Sequence, residues 1–142
     1  MNSPRVSILI PVYNREKYIA DCIQSALDQT FHDFEIVVVD NASNDGTWEI
    51  CQEYAARDNR VRIFRNASNI GPVRNWIRCA QEARGEYSKI LFSDDLLEPD
   101  CIERMLQCLD GRSDVGLLFC AARIGEDKQN AKMAYAFDDR TI

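Results

Sequence analysis

Glu35-Ile36-Val37-Val38-Val39, closed by Asp40, is the stretch on which the reading of the fold turns. Its β-branched centre disfavours a helix, and the run is too short to show a helical repeat. It is apolar on both sides, so the spacing predicts a strand covered on both faces rather than one with a wet face. Working outward, Val6 to Ile10 repeats the pattern upstream. Between the two strands, Glu16 to Asp28 places Tyr18, Ile19, Cys22, Ile23, Ala26 and Leu27 on one helical face. Downstream, Asn41 to Gly46 is turn chemistry, with Asp45 as N-cap of a helix that aligns Trp48, Cys51, Tyr54 and Ala55.

The alternation continues. Val61 to Phe64 reads as a strand, and Asn66 to Pro72 as a polar loop. A helix follows that is expected to bury Val73, Trp76, Ile77, Ala80 and Ala83 and to end at Gly85. Tyr87 to Phe92 is a fourth strand, halted by Ser93-Asp94-Asp95. Pro99 suits the first turn of a helix carrying Ile102, Met105, Leu106 and Leu109, and Val115 to Cys120 is expected as a fifth strand. Strands alternating with helices specify an α/β fold, a mostly parallel sheet with helices on both faces. One domain is expected over residues 1–142, with a weakly patterned tail from about Gly125.

Composition narrows the function classes. Apolar residues make up 46% and charged residues 28%, the profile of an ordinary globular protein. The longest apolar runs, Ile36 to Val39 and Val115 to Ala122, are too short to span a bilayer. No signal-peptide pattern precedes Val6, so a cytoplasmic setting is expected, including the inner face of a membrane. The formal net charge of -6, spread along the chain, argues against nucleic acid as a partner. Cys22, Cys51, Cys79, Cys101, Cys108 and Cys120 form no C-x-x-C pair, and His32 is the sole histidine. They read as small core residues rather than metal ligands.

Ligands of parallel sheets bind beyond the carboxyl ends of the strands, which directs attention to Tyr13, Asn14, Arg15, Asp40, Asp94 and Asp95. Asp94 and Asp95 repel each other unless a cation or hydrogen bonds offset their charge. Hard divalent cations take such oxygens and share them with phosphates. The plain alternative is a solvated turn favouring the start of the next helix. Asp40 is either a turn residue or an acceptor for a base or ribose. Arg15 and Arg74 are ordinary surface cations unless a diphosphate lies near them. Tyr13 either stacks on a nucleobase or packs at the end of the sheet.

The ordered combination is more specific than its parts. The stretches Val6 to Asn14, Ser25 to Phe31 and Phe34 to Ser43 resemble the opening of family 2 glycosyltransferases. The resemblance continues through Asn69-Ile70-Gly71, Arg74-Asn75, Ala83 to Tyr87 and Leu91 to Pro99, covering Val6 to about Leu109. It implies a GT-A, Rossmann-like fold that binds a nucleotide-diphosphate sugar, a UDP-sugar favoured, and transfers the sugar with inversion to an acceptor hydroxyl. The acceptor would be a saccharide, a lipid-linked species or a protein, in polysaccharide biosynthesis at the cell envelope. By resemblance, Pro11 and Tyr13 hold the nucleobase, Arg15 lies in that loop near the nucleotide, Asp40 contacts the base, and Arg74 lies close to the nucleotide. Asp94 and Asp95 match the D-x-D region, which contacts the ribose and a Mg2+ or Mn2+ ion. Phe92 stands where many relatives have another aspartate, so which of the pair holds the metal stays open.

An inverting transfer needs a carboxylate base, which in the family comes from a later segment. Glu126, Asp127, Asp138 and Asp139 are in no matching motif. The chain is therefore expected to be the N-terminal, donor-binding part of a longer transferase, with the base and acceptor site outside it. A nucleotide-binding module without turnover is the alternative. A receiver-like signalling domain fits less well, because it wants an acidic pair after the first strand, where Pro11-Val12-Tyr13 stands. A dinucleotide-binding oxidoreductase lacks its G-x-G-x-x-G after that strand.

Overall fold

The computed structural model describes residues 3–120, 122–125 and 132–133. The chain divides into two compact units, Met1–Glu103 and Arg104–Ile142. The first unit holds β1 (Val6–Val12), α1 (Ile19–Leu27), β2 (Phe34–Asp40), α2 (Thr47–Arg57), β3 (Val61–Arg65), α3 (Pro72–Glu82) and β4 (Tyr87–Ile90). Helix α4 (Cys101–Leu109) runs from the first unit into the second. The second also contains the short antiparallel pair β5 (Arg123–Ile124) and β6 (Lys132–Met133).

The main sheet has four parallel strands in the order β3-β2-β1-β4. Every residue of β1 and β2 is buried, as the unbroken apolar runs require. Leu9, Val37 and Val39 form a core with Cys79 of α3, joined by Phe64 and Ala83. Their neighbours Ile8, Ile10, Ile36 and Val38 are equally buried and point to the opposite face. Helices α1 and α2 pack on each other, and α2 packs on β2 and β3. Edge strand β4 alternates between half-buried and exposed residues, the pattern of a strand with a wet side.

Three expectations are corrected. Val115 to Cys120 forms no strand, and no described strand pairs with it, so the ladder that would define it is missing. Second, α3 turns Val73, Trp76 and Ile77 outward at 58%, 40% and 52% exposure and buries Asn75 and Cys79 instead. Asn75 can be inside because its amide donates to the Val39 carbonyl at 2.9 Å and accepts from Asn66 at 2.8 Å. Third, α3 ends at Glu82, and Gly85 serves a close approach to β1. A β-carbon at Gly85 would lie 2.6 Å from the Ser7 amide nitrogen, inside van der Waals contact.

That approach completes a buried polar knot at the amino ends of the strands. The Ser7 hydroxyl donates to Glu35 at 2.7 Å and accepts from the Gly85 amide at 2.8 Å. Arg62 pairs with the other Glu35 oxygen at 2.8 Å. Burial alone would raise the Glu35 carboxyl, but hydrogen bonds from Ser7, Arg62 and the Arg84 amide hold it below the usual range. Cys22 and Cys51 are buried free thiols, as their positions on helix stripes predict, Cys79 is buried on the inward face of α3, and Cys108 and Cys120 are exposed. Burial pushes the Cys51 and Cys79 thiols up to about 12, so neither is a nucleophile at neutral pH. Among the described residues no helix is long and apolar enough to cross a membrane.

Candidate functional site

Two loops leave the carboxyl ends of β1 and β2 and are sewn to each other by side chains. The Asn14 amide donates to the Ser43 hydroxyl at 2.9 Å, and the Arg15 amide to the Thr47 hydroxyl at 2.8 Å. The Glu16 amide donates to Asp45 at 3.2 Å. In the reverse direction, the Asn44 amide donates to the Asn14 side chain at 2.9 Å, and the Gly46 amide to Glu16 at 2.9 Å. Asp45 sits one residue before the N-cap Gly46 and accepts the Thr47 amide and hydroxyl at 3.1 and 2.5 Å. Burial would raise its carboxyl, but these bonds outweigh that and hold it low.

Both loops carry a residue in the left-handed region, Asn14 at φ 50° and Ala42 at φ 63°. Alanine gains nothing locally from that conformation, so the surrounding bonds must hold it there. Strained backbone of this kind collects at ligand-binding loops.

The loop before α3 hangs from Asn41. The Asn41 amide group donates to Asn69 at 2.8 Å, and its oxygen accepts from Asn66 and the Ile70 amide at 2.8 and 3.0 Å. This fixes the start of α3, where Arg74 sits in the first turn. Arg74 is exposed and, among the described residues, holds no hydrogen-bond or ion-pair partner.

The acidic doublet follows β4 through a tight turn, in which the Asp95 amide donates to the Phe92 carbonyl at 2.9 Å. Helix α1 pins the segment on either side of the turn. The Cys22 thiol donates to the Phe92 carbonyl at 3.4 Å, and the Leu97 amide donates to Ser25 at 3.1 Å. Buried Gln29 donates to the Glu98 carbonyl at 2.8 Å and accepts the Ile102 amide at 3.0 Å. The Ser25 to Phe31 stretch thus holds the doublet's segment in place. Phe92 spends its ring on Trp76, at a centroid distance of 5.4 Å. Asp95 is pushed above the usual carboxylate range, first by burial and then by Asp94.

The site residues read from sequence therefore fall into three groups. Arg15 and Asp94 meet: the guanidinium Nε lies 3.5 Å from the carboxylate, joining the loop after β1 to the doublet after β4. Pro11 is buried near the end of β1, level with Val39, and Tyr13 stands 40% exposed just beyond it. Arg74 touches none of them through a hydrogen bond or ion pair. Asp40, at the end of β2, is held by the fold's own hydrogen bonds. It is 0% exposed, both oxygens accept the Ser43 amide at 3.2 Å, and the Ser43 hydroxyl bonds to it as well. Arg65 Nε completes the set at 3.1 Å.

Sequence reasoning passed over Ser43, Arg65, Thr47 and the asparagines 41, 66 and 75. Their signal was weak, since serine, threonine and asparagine in loops read first as turn formers. The four candidates Glu126, Asp127, Asp138 and Asp139 lie outside the described residues. Two shallow surface depressions lie at the amino ends of the strands, one beside Arg5, Asp33 and Arg84, the other beside Arg57 and Arg60. Neither includes these loops, and parallel sheets bind ligands at the other end.

Comparison with known proteins follows the same lines. Residues 7–140 match the family Glycosyl transferase family 2. The putative glycosyltransferase EpsH of Bacillus subtilis is 38% identical over 123 residues, covering 86% of this chain and 35% of EpsH. The crystal structure of S. aureus TarS 1-349 in complex with UDP-GlcNAc superposes with a TM-score of 0.70 at 30% identity, over 75% of this chain and 31% of that one. The mannosyltransferase PcManGT from Pyrobaculum calidifontis, solved with GDP-Man and Mn2+, gives 0.70 at 25% identity over 76% of this chain and 33% of that one. The chain spans about a third of the length of EpsH and of these two solved chains. With a parallel sheet of GT-A type and a match over nearly its whole length, the chain belongs to glycosyl transferase family 2.

Proposed function

We propose that this chain carries the donor side of a sugar transfer. It binds a nucleotide-diphosphate sugar, UDP-linked by preference, across the loops after β1 and β4 and the start of α3. The sugar passes with inversion to a hydroxyl of a saccharide, lipid-linked or protein acceptor during polysaccharide assembly. The observation that carries this reading is the 3.5 Å pair between Arg15 and Asp94, which draws a cation and an acidic doublet to one edge of the sheet. Tyr13 offers a half-exposed ring to the base, and buried Pro11 fixes the strand end beneath it. Arg15 and unpaired Arg74 supply charge-assisted hydrogen bonds to phosphate oxygens.

The doublet suits a divalent cation. Asp94 and Asp95 are exposed, and Asp95 takes a proton more readily than an ordinary aspartate because of burial and its neighbour's charge. A cation relieves that repulsion. Among the described residues no cluster of three or more metal-ligating side chains exists. Two carboxylates with open positions fit Mg2+ or Mn2+, which share their shell with water and substrate phosphates. When bound, such a metal neutralises the charge that develops on the departing diphosphate. TarS with UDP-GlcNAc and PcManGT with GDP-Man and Mn2+ support both halves of the reading.

The test is a thermal-shift panel of UDP, GDP, CDP and dTDP with and without Mn2+. A ligand that binds only the native state at a hundred times its Kd adds about 2.7 kcal/mol of stability. A rise in Tm with UDP that depends on Mn2+ is expected. If no nucleotide moves Tm with Mn2+ present, the donor-binding reading fails.

A further inference from the structure

We propose that Gln29 and Ser25 are positioning residues for the metal at the acidic doublet, acting through the backbone of the segment that carries it. The proposal rests on the donor-binding reading of this edge. Residues 91–100, which lead from β4 through the doublet to α4, form neither helix nor strand. Their backbone groups therefore need partners that no ladder supplies. The end of α1 and the turn after it supply several. Gln29 is 1% exposed, and its nitrogen donates to the Glu98 carbonyl at 2.8 Å and to the Ser25 carbonyl at 3.2 Å. Its oxygen accepts the Ile102 amide at 3.0 Å. A side-chain amide can donate and accept at once without carrying a charge, which suits a buried place between two backbone groups. The Ser25 hydroxyl accepts the Leu97 amide at 3.1 Å. Thr30 extends the grip, its amide donating to the Pro99 carbonyl and its hydroxyl to Glu103, both at 2.8 Å.

The same helix fixes the cation that faces the doublet. At its start the Tyr18 and Ile19 amides both donate to the Arg15 carbonyl at 2.9 Å. Ile19, Cys22, Ile23 and Ala26 are 0% exposed, so the core holds α1 in place. Helix α1 is thus a strut, with the Arg15 loop tied to one end and the doublet's segment to the other. The 3.5 Å approach of Arg15 to Asp94 depends on both attachments. A small hard cation takes a near-octahedral set of oxygens, so its affinity follows the placement of its carboxylates. Losing Gln29 takes a bond from the Glu98 carbonyl and from the Ile102 amide and loosens the segment downstream of the doublet. The Arg15 loop keeps its own bonds, so donor contacts made without metal survive. A glutamine that only satisfied backbone groups would change stability and leave the metal dependence alone.

The experiment measures UDP binding by calorimetry with and without Mn2+, together with Tm, in the parent, Gln29→Met, Ser25→Ala and Ser7→Ala. Methionine keeps the length and apolar stem of Gln29 and removes its amide. In Gln29→Met the gain in affinity that Mn2+ brings is expected to shrink about tenfold, equivalent to about 1.4 kcal/mol. Metal-free affinity should stay within about twofold of the parent's. Ser25→Ala removes one neutral acceptor, so the Mn2+ gain should shrink about threefold, and this milder variant decides the matter if Gln29→Met does not fold. Ser7→Ala is the control, a buried hydroxyl bonded to Glu35 at the opposite end of the strands. It should lower Tm and leave the Mn2+ gain within about twofold. A parent-like Mn2+ gain in either folded variant of Gln29 or Ser25 overturns the proposal. So does equal shrinkage in Ser7→Ala, which would mean that metal affinity merely follows stability. A parent whose UDP binding ignores Mn2+ overturns the metal-dependent donor reading itself, a distinct result.

Discussion

Asp40 and the pair Asp94-Asp95 occupy matching places, each just at or beyond the carboxyl end of a parallel strand, yet their surroundings are opposite. Asp40 is 0% exposed and saturated by Ser43 and Arg65, whereas the Asp94 side chain is 50% exposed with one ion-pair partner at 3.5 Å. The difference begins in the strands. β2 is central, paired on both sides, and its end is roofed by the loops after β1 and β3. β4 is an edge strand whose end opens outward. A carboxylate at a central strand end is drawn into the fold's own hydrogen bonding, while one at the edge keeps free oxygens. Burial and exposure are thus divided between the two strand ends.

The sharpest way to break this comparison is Asp40→Ala. It orphans Arg65 and the Ser43 hydroxyl, and removing one partner of a buried charge pair costs about 3–5 kcal/mol. Because Arg65 is 40% exposed and can reach water, about 2–3 kcal/mol is expected here. Urea denaturation should show the loss as a lower midpoint at unchanged slope. A variant within about 0.5 kcal/mol of the parent would mean that Asp40 is no more structural than a surface residue.

Arg65→Ala probes the same knot from its wet side. Asp40 would keep the Ser43 amide and hydroxyl, so the loss should be smaller, about 1–2 kcal/mol. If Arg65→Ala costs more than Asp40→Ala, the ion pair rather than the Ser43 bonds dominates the knot.

These contrasts also show how far the sequence could be read. The order of strands and helices was legible because β1 and β2 are continuous apolar runs, a pattern that only a sheet covered on both faces produces. The doublet draws attention because adjacent carboxylates repel, but alone it reads as a solvated turn, and only its place among the ordered motifs makes it a candidate site. The burial of Asp40 was not legible, since an aspartate closing a strand reads the same whether it faces solvent or serine. Helix α3 misled for a related reason. Its apolar stripe, Val73, Trp76 and Ile77, predicts burial, but the inward face is set by Asn75, whose amide finds partners only once β2 and the Asn66 loop are in place. Gly85 reads locally as a helix stop, and only the packing against Ser7 shows why a side chain is excluded. In α3, periodicity alone misplaces the inward face, because a buried asparagine sets it.

On the open side of the comparison, Asp94→Asn should leave stability within about 0.5 kcal/mol, the range of an exposed substitution. Its effect belongs to ligand binding: the Mn2+-dependent part of UDP affinity, read by calorimetry, should fall while metal-free binding of UDP changes little. Parent-like Mn2+ dependence in both Asp94→Asn and Asp95→Asn would reduce the doublet to a feature of the turn before α4.

The smallest expected effect carries a sign that separates the two ends. Asp95 has its carboxyl raised in the folded chain, by burial and then by Asp94, with Lys89 pulling the other way. A folded acid with a raised pKa binds its proton more tightly than the unfolded chain does. It therefore subtracts stability wherever it is ionised, above that raised value, and the penalty fades as pH falls to the unfolded value near about 3.9. Asp95→Asn removes both the charge and its repulsion with Asp94. The variant should be more stable than the parent at pH 7 by a few tenths of a kcal/mol, the scale of partly exposed charge pairs. The advantage should shrink as the buffer is taken toward pH 4. Adding Mn2+ and UDP should reverse the order, because the parent then recovers through the ligand what it lost to repulsion. Differential scanning calorimetry at the two pH values, with and without Mn2+ and UDP, reads all these points. A variant that is less stable than the parent at pH 7 without ligand would place Asp95 among the structural carboxylates, beside Asp40.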